Sequence, residues 1–179
     1  KDSVKNLKEV VISANQIIGS KFEETNKTGS SSYISAADLQ KFNYTDINRV
    51  LRTVTGVNVY EEDGFGLRPN ISLRGTSPDR SAKITLMEDN VLIAPAPYSA
   101  PAAYYFPSVA RMSAVEILKG SSQIQYGPFT TGGTINFVSA PIPTKFSAGF
   151  LTDYGSFNTS RTVANVGIAN ETVGAVVQF

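Results

Sequence analysis

The densest run of carboxylates is Glu61-Glu62-Asp63, the first place to look for metal ligation or paired-carboxylate glycosidase chemistry. Three successive acids at a strand end point in alternate directions, so they read as a solvated loop and not as one converging site. The sequence contains neither histidine nor cysteine. That excludes Cys/His zinc sites, disulfides, thiol nucleophiles and every triad built on an imidazole base. In Gly64-Phe65-Gly66-Leu67-Arg68-Pro69, proline stands where a dinucleotide fingerprint needs its last glycine. No catalytic residue, metal ligand or cofactor is expected, and the chain is not read as an enzyme. What remains is recognition chemistry. Asp63 to Pro69, Ser77 to Lys83 and Pro95 to Tyr105 are Gly-, Pro- and aromatic-rich segments between strands, where binding side chains are displayed. As a set, Arg68, Ser77, Arg80, Lys83, Tyr98, Ser99 and Tyr104 offer donors and cations to an anionic ligand. Taken singly, each also reads as ordinary surface.

The elements that would carry these loops follow from composition and periodicity. A chain of 179 residues suits one domain with appendages. Its charged share of 17% lies below the typical value of about 25%, so something other than water is expected to face part of it. Sixteen Lys and Arg against fifteen Asp and Glu, with half of the basic residues before and half after the Arg52 boundary, leave no nucleic-acid footprint. No apolar run approaches the roughly 20 residues of a spanning helix. Lys1 opens no signal segment, so any export signal would already have been removed.

Residues 1–32 are polar and close on Gly29-Ser30-Ser31-Ser32, which reads as a flexible arm. Its exception is Glu9-Val10-Val11-Ile12-Ser13-Ala14, a β-branched run that could pair with an exposed strand edge. Asn15 to Ser32, if extended, would span roughly 60 Å. Over 33–143 the pattern is that of a small α+β domain. Ser35 opens a capping-box-like helix start, and Thr45-Asp46 precede the stripe Ile47, Val50, Leu51 and Val54, with Gly56 beyond it. Strand-like runs follow at Val57–Tyr60, Ile71–Arg74, Ile84–Met87, Val91–Ile93, Ala114–Leu118 and Thr134–Ser139, with turn-formers such as Asp89-Asn90 between them.

Across 144–179 the period becomes two. Phe146, Ala148, Phe150 and Tyr154 alternate with Ser147, Gly149, Leu151 and Asp153; Thr162, Ala164, Val166 and Ile168 then alternate with Arg161, Val163, Asn165 and Gly167. Runs of about ten residues with this alternation suit strands of a transmembrane barrel. A third run, Val173 to Phe179, stops without a turn. So few strands cannot close a barrel, so the chain is read as the amino-terminal part of a longer polypeptide.

Several motifs now fall in a known order. Glu9 to Ala14, Ile47 to Val57, Ile71-Ser72-Leu73-Arg74-Gly75, Val115-Glu116-Ile117-Leu118-Lys119-Gly120, and Tyr126-Gly127 followed by Gly132-Gly133-Thr134-Ile135-Asn136-Phe137-Val138 resemble the plug and first barrel strands of TonB-dependent outer-membrane transporters. Ala94-Pro95-Ala96-Pro97-Tyr98, Tyr126-Gly127-Pro128 and Tyr154 to Thr159 are most similar to the ferric dicitrate subgroup, although Ser99-Ala100-Pro101 and Lys119 depart from its pattern. The resemblance implies an α+β plug domain, a small mixed sheet with short helices, followed by opening antiparallel strands of a transmembrane β-barrel. It implies an outer-membrane location with the plug inside the barrel, lipid around the barrel and the arm in the periplasm. Glu9, Val10, Val11, Ile12, Ser13 and Ala14 would be the TonB box, engaged by TonB through strand addition. Arg74, Glu116 and Lys119 would face the barrel wall and lock the plug, against the plainer reading of solvated charges alternating with core. The implied function is import of a ferric chelate, ferric citrate first; the alternatives are another siderophore, cobalamin, a glycan or a peptide, or a signalling or adhesion receptor that transports nothing.

Overall fold

The computed structural model describes residues 15–42, 44, 46–62, 69–94, 105–127, 131–170 and 172–179. Glu9 to Ala14, Arg68, Tyr98, Ser99 and Tyr104 lie outside the described residues. In chain order the elements are α1 (Lys21–Asn26), β1 (Ser30–Ser35), α2 (Ala36–Phe42), α3 (Ile47–Leu51), β2 (Val57–Glu61), β3 (Pro69–Leu73), β4 (Ile84–Glu88), β5 (Val91–Ala94), β6 (Met112–Lys119), β7 (Gly133–Ser139), β8 (Ser147–Gly155), β9 (Thr159–Ala169) and β10 (Gly174–Gln178), joined in places by short 3-10 turns.

The helix starts are made by side chains. Ser35 Oγ accepts from Asp38 N at 3.2 Å while Asp38 Oδ2 accepts from Ser35 N at 3.2 Å, a reciprocal cap that opens α2. Asp46 accepts from Asn48 N at 2.8 Å and opens α3. The α3 helix is short, and Thr53 N and Val54 N bond to Val50 O and Leu51 O in tighter turns. All four stripe residues are nevertheless buried, because those turns keep Val54 on the same side. Gly56 adopts φ +78 in the turn into β2, where its carbonyl accepts from Arg74 N at 2.9 Å.

One five-stranded mixed sheet, in the order β1-β6-β7-β4-β5, forms the centre; β7 and β4 run parallel and the other neighbours antiparallel. Its core face carries Ile34, Val115, Ile117, Ile135, Phe137, Ile84 and Leu86, packed against the α3 stripe and against Val59, Ile71 and Leu73 of the β2–β3 pair. Burial of each such side chain is worth roughly 1.5–3 kcal/mol. Asp89 and Asn90 turn β4 into β5 with φ +50 and +65, the two-residue hairpin geometry that Asn and Asp tolerate.

The second sheet, β10-β9-β8, is antiparallel. In its register Ala148 faces Val166, Phe150 faces Ala164 and Val177 faces Val166, which puts Phe150, Tyr154, Val166 and Val177 on one exposed apolar side. Asp153 and Arg161 pair on the other side. That is the apolar-out alternation of a barrel wall.

Two expectations need correction. Residues 15–32, read as part of a flexible arm, hold α1 and the first half of β1, and β1 pairs along its length with β6 from Ser30↔Lys119 to Ser35↔Ala114. Serine has weak strand propensity, so pairing with a buried neighbour decides the conformation. Consequently that stretch is not an extended linker. Arg74, expected at a strand end, is instead an exposed turn residue with φ +56 just past β3.

A tight approach holds β7 in place: a Cβ on Gly133 would lie 2.5 Å from the Leu118 carbonyl oxygen and closer still to Leu73 Cδ1. Gly133→Ala is therefore expected to cost the domain about 1–3 kcal/mol through overpacking. A lower denaturant midpoint for the unfolding of the central sheet would show it; an unchanged midpoint would mean that β7 shifts freely.

Candidate functional site

Strand register sorts the candidate residues to the two ends of the central sheet. β3 and β6 end, and β4 and β7 begin, at one end, where Ile84 faces Gly133 and Leu118 faces Thr134. The Asp89-Asn90 turn and the end of β7 lie at the other, tied together by Ser139 N donating to Asp89 Oδ1 at 2.9 Å.

At the first end the 76–83 turn is built by buried polar groups. Ser81, nearly inaccessible, accepts from Ile71 N at 2.9 Å and donates to Pro69 O at 3.1 Å, while Asn70 Oδ1 accepts from Arg80 N at 2.8 Å. Arg80 and Ser81 both take positive φ, at +50 and +53, and the bonds to β3 hold that geometry. As a result Ser77, Arg80 and Lys83 are presented to solvent together. Ser77 Oγ also accepts weakly from Asp79 N at 3.4 Å. Loops with exposed cations on a rigid sheet suit recognition of an anion. Tyr105, which the sequence reading passed over, stands at the end of the segment that contains Tyr98, Ser99 and Tyr104. It donates to Glu88 Oε2 at 3.1 Å and accepts from Arg111, which pairs with Glu88, and both partners stand at the Asp89-Asn90 end of the sheet, away from Arg80 and Lys83. Burial raises its phenol pKa above the usual value; Arg111 opposes the rise and Glu88 adds to it.

The three residues grouped as a lock do not converge. Arg74 and Lys119 are neighbours: a Cβ on Gly120 would lie 3.3 Å from Arg74 Nη1, and the Arg74 charge acts on Lys119. Lys119 is buried on the core face and donates to Thr55 O at 2.8 Å and Ser32 Oγ at 3.1 Å. Among the described residues neither cation forms an ion pair. Burial pushes the Lys119 ammonium below its usual pKa, a shift that Glu24 opposes and Arg74 reinforces.

Glu116 points to the opposite face, and its partners belong to this chain. It is fully buried and accepts from Ile17 N at 2.6 Å, Ile18 N at 2.9 Å, Gly19 N at 2.7 Å and Asn136 Nδ2 at 2.9 Å. Neither Asn136 nor residues 15–19 were singled out as site residues from the sequence. An Asn in the middle of Ile135-Asn136-Phe137-Val138, facing a Glu in the middle of Val115-Glu116-Ile117, was the available signal. Among the described residues no three carboxylates converge to hold a metal ion, and Glu61 pairs with Arg52.

A family model described as the TonB-dependent receptor plug domain matches residues 23–134. Among solved structures, the ferric citrate transporter FecA in its unliganded form is similar over 94% of this chain and 27% of its own, at 26% identity and a TM-score of 0.76. A mutant of the ferric enterobactin receptor PfeA from Pseudomonas aeruginosa is similar over 94% of this chain and 25% of its own, at 18% identity and a TM-score of 0.65. The siderophore receptor PirA from Pseudomonas aeruginosa is similar over 80% of this chain and 26% of its own, at 19% identity and a TM-score of 0.60. The two more distant likenesses concern the fold alone. The chain spans about a quarter of the length of the structures it matches.

The Lys119 shift has a testable sign. The folded state holds this proton less tightly than the unfolded state, so charge on Lys119 opposes folding at neutral pH, and the penalty is relieved as pH rises towards the ordinary lysine value of 10.5. The stability of the unmodified protein relative to Lys119→Met is expected to increase from pH 7 to pH 10. Melting temperatures of the two full-length proteins check it; a constant or narrowing difference would show that the charged form is not the penalised one.

Proposed function

Because the chain belongs to the TonB-dependent receptor plug-domain family, we propose that it is the plug and opening barrel strands of an outer-membrane receptor that imports a ferric chelate, with ferric citrate first among cargoes. The observation that carries the proposal is the separation of two jobs along one sheet. Arg80 and Lys83 are offered to solvent at one end, and the chain leading back to Glu9 to Ala14 meets the Asp89-Asn90 turn at the other. The likeness to a ferric citrate transporter over 94% of the chain supports the choice of cargo.

On this reading the chelate binds at the outward end through Arg68, Ser77, Arg80, Lys83, Tyr98 and Ser99, together with groups from the rest of the barrel; Tyr104 is set aside, because its neighbour Tyr105 is tied to Glu88 and Arg111 at the other end of the sheet. No bond of the cargo is made or broken. TonB adds a strand to Glu9 to Ala14, where main-chain hydrogen bonds supply grip with little demand on side chains. Tension then draws on the plug, held in the barrel by exposed Arg74, while Lys119, buried against Thr55 and Ser32, braces the plug from within. We take the plug to run from Asn15 to Pro143, since residues 15–32 are paired into it, and the pulled arm to be the residues before Asn15.

Uptake of radiolabelled ferric citrate by cells carrying the full-length gene tests the reading. Accumulation is expected; binding without accumulation would favour a sensing receptor, and no binding would move the cargo to another chelate. Val11→Pro removes a backbone donor from the strand-adding segment and is expected to abolish uptake with binding intact. Unchanged uptake would show that coupling occurs elsewhere.

The cations make a second, separate expectation. Each contributes about 1 kcal/mol of screened attraction, so Arg80→Gln combined with Lys83→Gln should weaken ferric citrate binding about thirtyfold at low ionic strength and much less at high. Calorimetric titration at two salt concentrations decides between this and a direct, desolvated contact, which would give equal losses at both.

A further inference from the structure

Residues 15–19 lie as a strap across the face of the central sheet that the core does not use. Asn15 Nδ2 donates to Asp89 Oδ1 at 3.3 Å, Asn15 O accepts from Asn136 Nδ2 at 3.0 Å, and Gln16 O accepts from Asn90 Nδ2 at 3.5 Å. Lys27 Nζ donates to Ile17 O at 2.6 Å, and the Ile18 side chain is buried. The centre of this contact is Glu116, whose two oxygens take the three successive amides of Ile17, Ile18 and Gly19. Gly19 turns the strap towards α1 with φ +88.

The strap begins one residue after Ala14. We propose that Glu116 is the catch on which tension from the arm acts, and that residues 15–19 are the removable cover of a buried carboxylate. The inference rests on the coupling role given above to Glu9 to Ala14. Drawing the strap away takes three of the four hydrogen bonds from Glu116 and leaves Asn136 Nδ2 as the partner that remains. A buried carboxylate stripped of its donors is strongly unfavourable, and it draws in water. Glu116 and Asn136 are register partners in the middle of β6 and β7, so the penalty falls on the pair of strands that the rest of the sheet is built around. The arm is thus more than a rope tied to the plug. Its first few residues, once moved, convert the centre of the sheet from satisfied to unsatisfied, and the sheet opens from inside.

Two variants approach the catch from opposite sides. Glu116→Gln keeps the shape but turns an amide NH2 towards backbone donors. Gly19→Ala leaves the carboxylate intact and strains the strap, because a Cβ disfavours φ +88. In the full-length receptor, with a single cysteine at Gln16→Cys, maleimide labelling without TonB is expected to accelerate about tenfold in either variant, from weakened charge-assisted hydrogen bonds in Glu116→Gln and from left-handed backbone strain in Gly19→Ala. The first rupture, when the receptor is pulled through its arm by an immobilised TonB fragment, should occur at lower force. Unchanged labelling in both variants overturns the catch, and so does faster labelling with an unchanged first rupture. If Glu116→Gln does not assemble in the membrane, Gly19→Ala decides alone. Labelling needs no TonB, so a failure of the coupling reading, seen as undiminished uptake by Val11→Pro, is distinct from a failure of the catch.

Discussion

A carboxylate with no access to water must find every hydrogen bond it needs within the chain, and Glu116 does so from three backbone amides and one side-chain amide. That requirement organises much of the plug. It holds residues 15–19 to the sheet face. It calls for Asn136 opposite in β7, whose Oδ1 in turn accepts from Asn90 N at 2.9 Å. Through Asn15 and Ser139 it reaches Asp89, so the β4–β5 turn, the end of β7 and the entry of the chain are parts of one polar network. Networks of this kind are stable when complete and costly when broken in part. The apolar face of the same sheet has the opposite character: many small contributions from Val115, Ile117, Ile135 and Phe137, none of them individually decisive.

What could be read in advance follows the same division. The α3 stripe, the six strand runs between Val57 and Ser139, the Asp89-Asn90 turn and the two alternating runs after Pro143 all come from local pattern, and each appears within a residue or two of its expected place, except that α3 stops at Leu51, well short of Gly56, and tighter turns carry the stripe on to Val54. β1 was missed because Ser30-Ser31-Ser32 has the composition of a linker, and only pairing with β6 makes it a strand. Residues 15–19 were missed for a related reason. They have no regular structure, and their position depends on a side chain almost a hundred positions away. The sequence marked Glu116 as significant through its motif, yet side-chain direction along β6 sends it to the face away from Lys119. Proximity in a motif is not proximity in space when the period is two.

The plug also holds buried polar groups that the described residues leave unpartnered. Both amide atoms of Asn48, which is fully buried in α3, have none, nor do Asn70 Nδ2, Ser72 Oγ or Thr134 Oγ1. Each such group subtracts about 1–3 kcal/mol. Against a total stability of roughly 5–15 kcal/mol for an ordinary domain, these losses are large. Losses of that size leave little margin in the plug's own core, which suits the proposed reading of an element braced by a barrel around it.

Arg74 extends that argument to the enclosing wall. Among the described residues Arg74 forms no ion pair, and its charge lowers the pKa of Lys119 beside it, an effect smaller than that of burial and opposed by Glu24. On the proposed reading the exposed Arg74 charge becomes favourable once the barrel supplies an acid opposite it, and then opposes leaving, while Lys119 stays buried within the plug. The two holds differ in kind. A cation–carboxylate contact with the wall is weakened gradually as water enters, since solvent screens it. The Glu116 contact gives way more abruptly, because hydrogen bonds weaken steeply once their distance and angle are lost. On the proposed reading, a load that comes in through the arm meets the abrupt hold first, through Asn15 and its neighbours, and the screened one at the far end of the sheet afterwards.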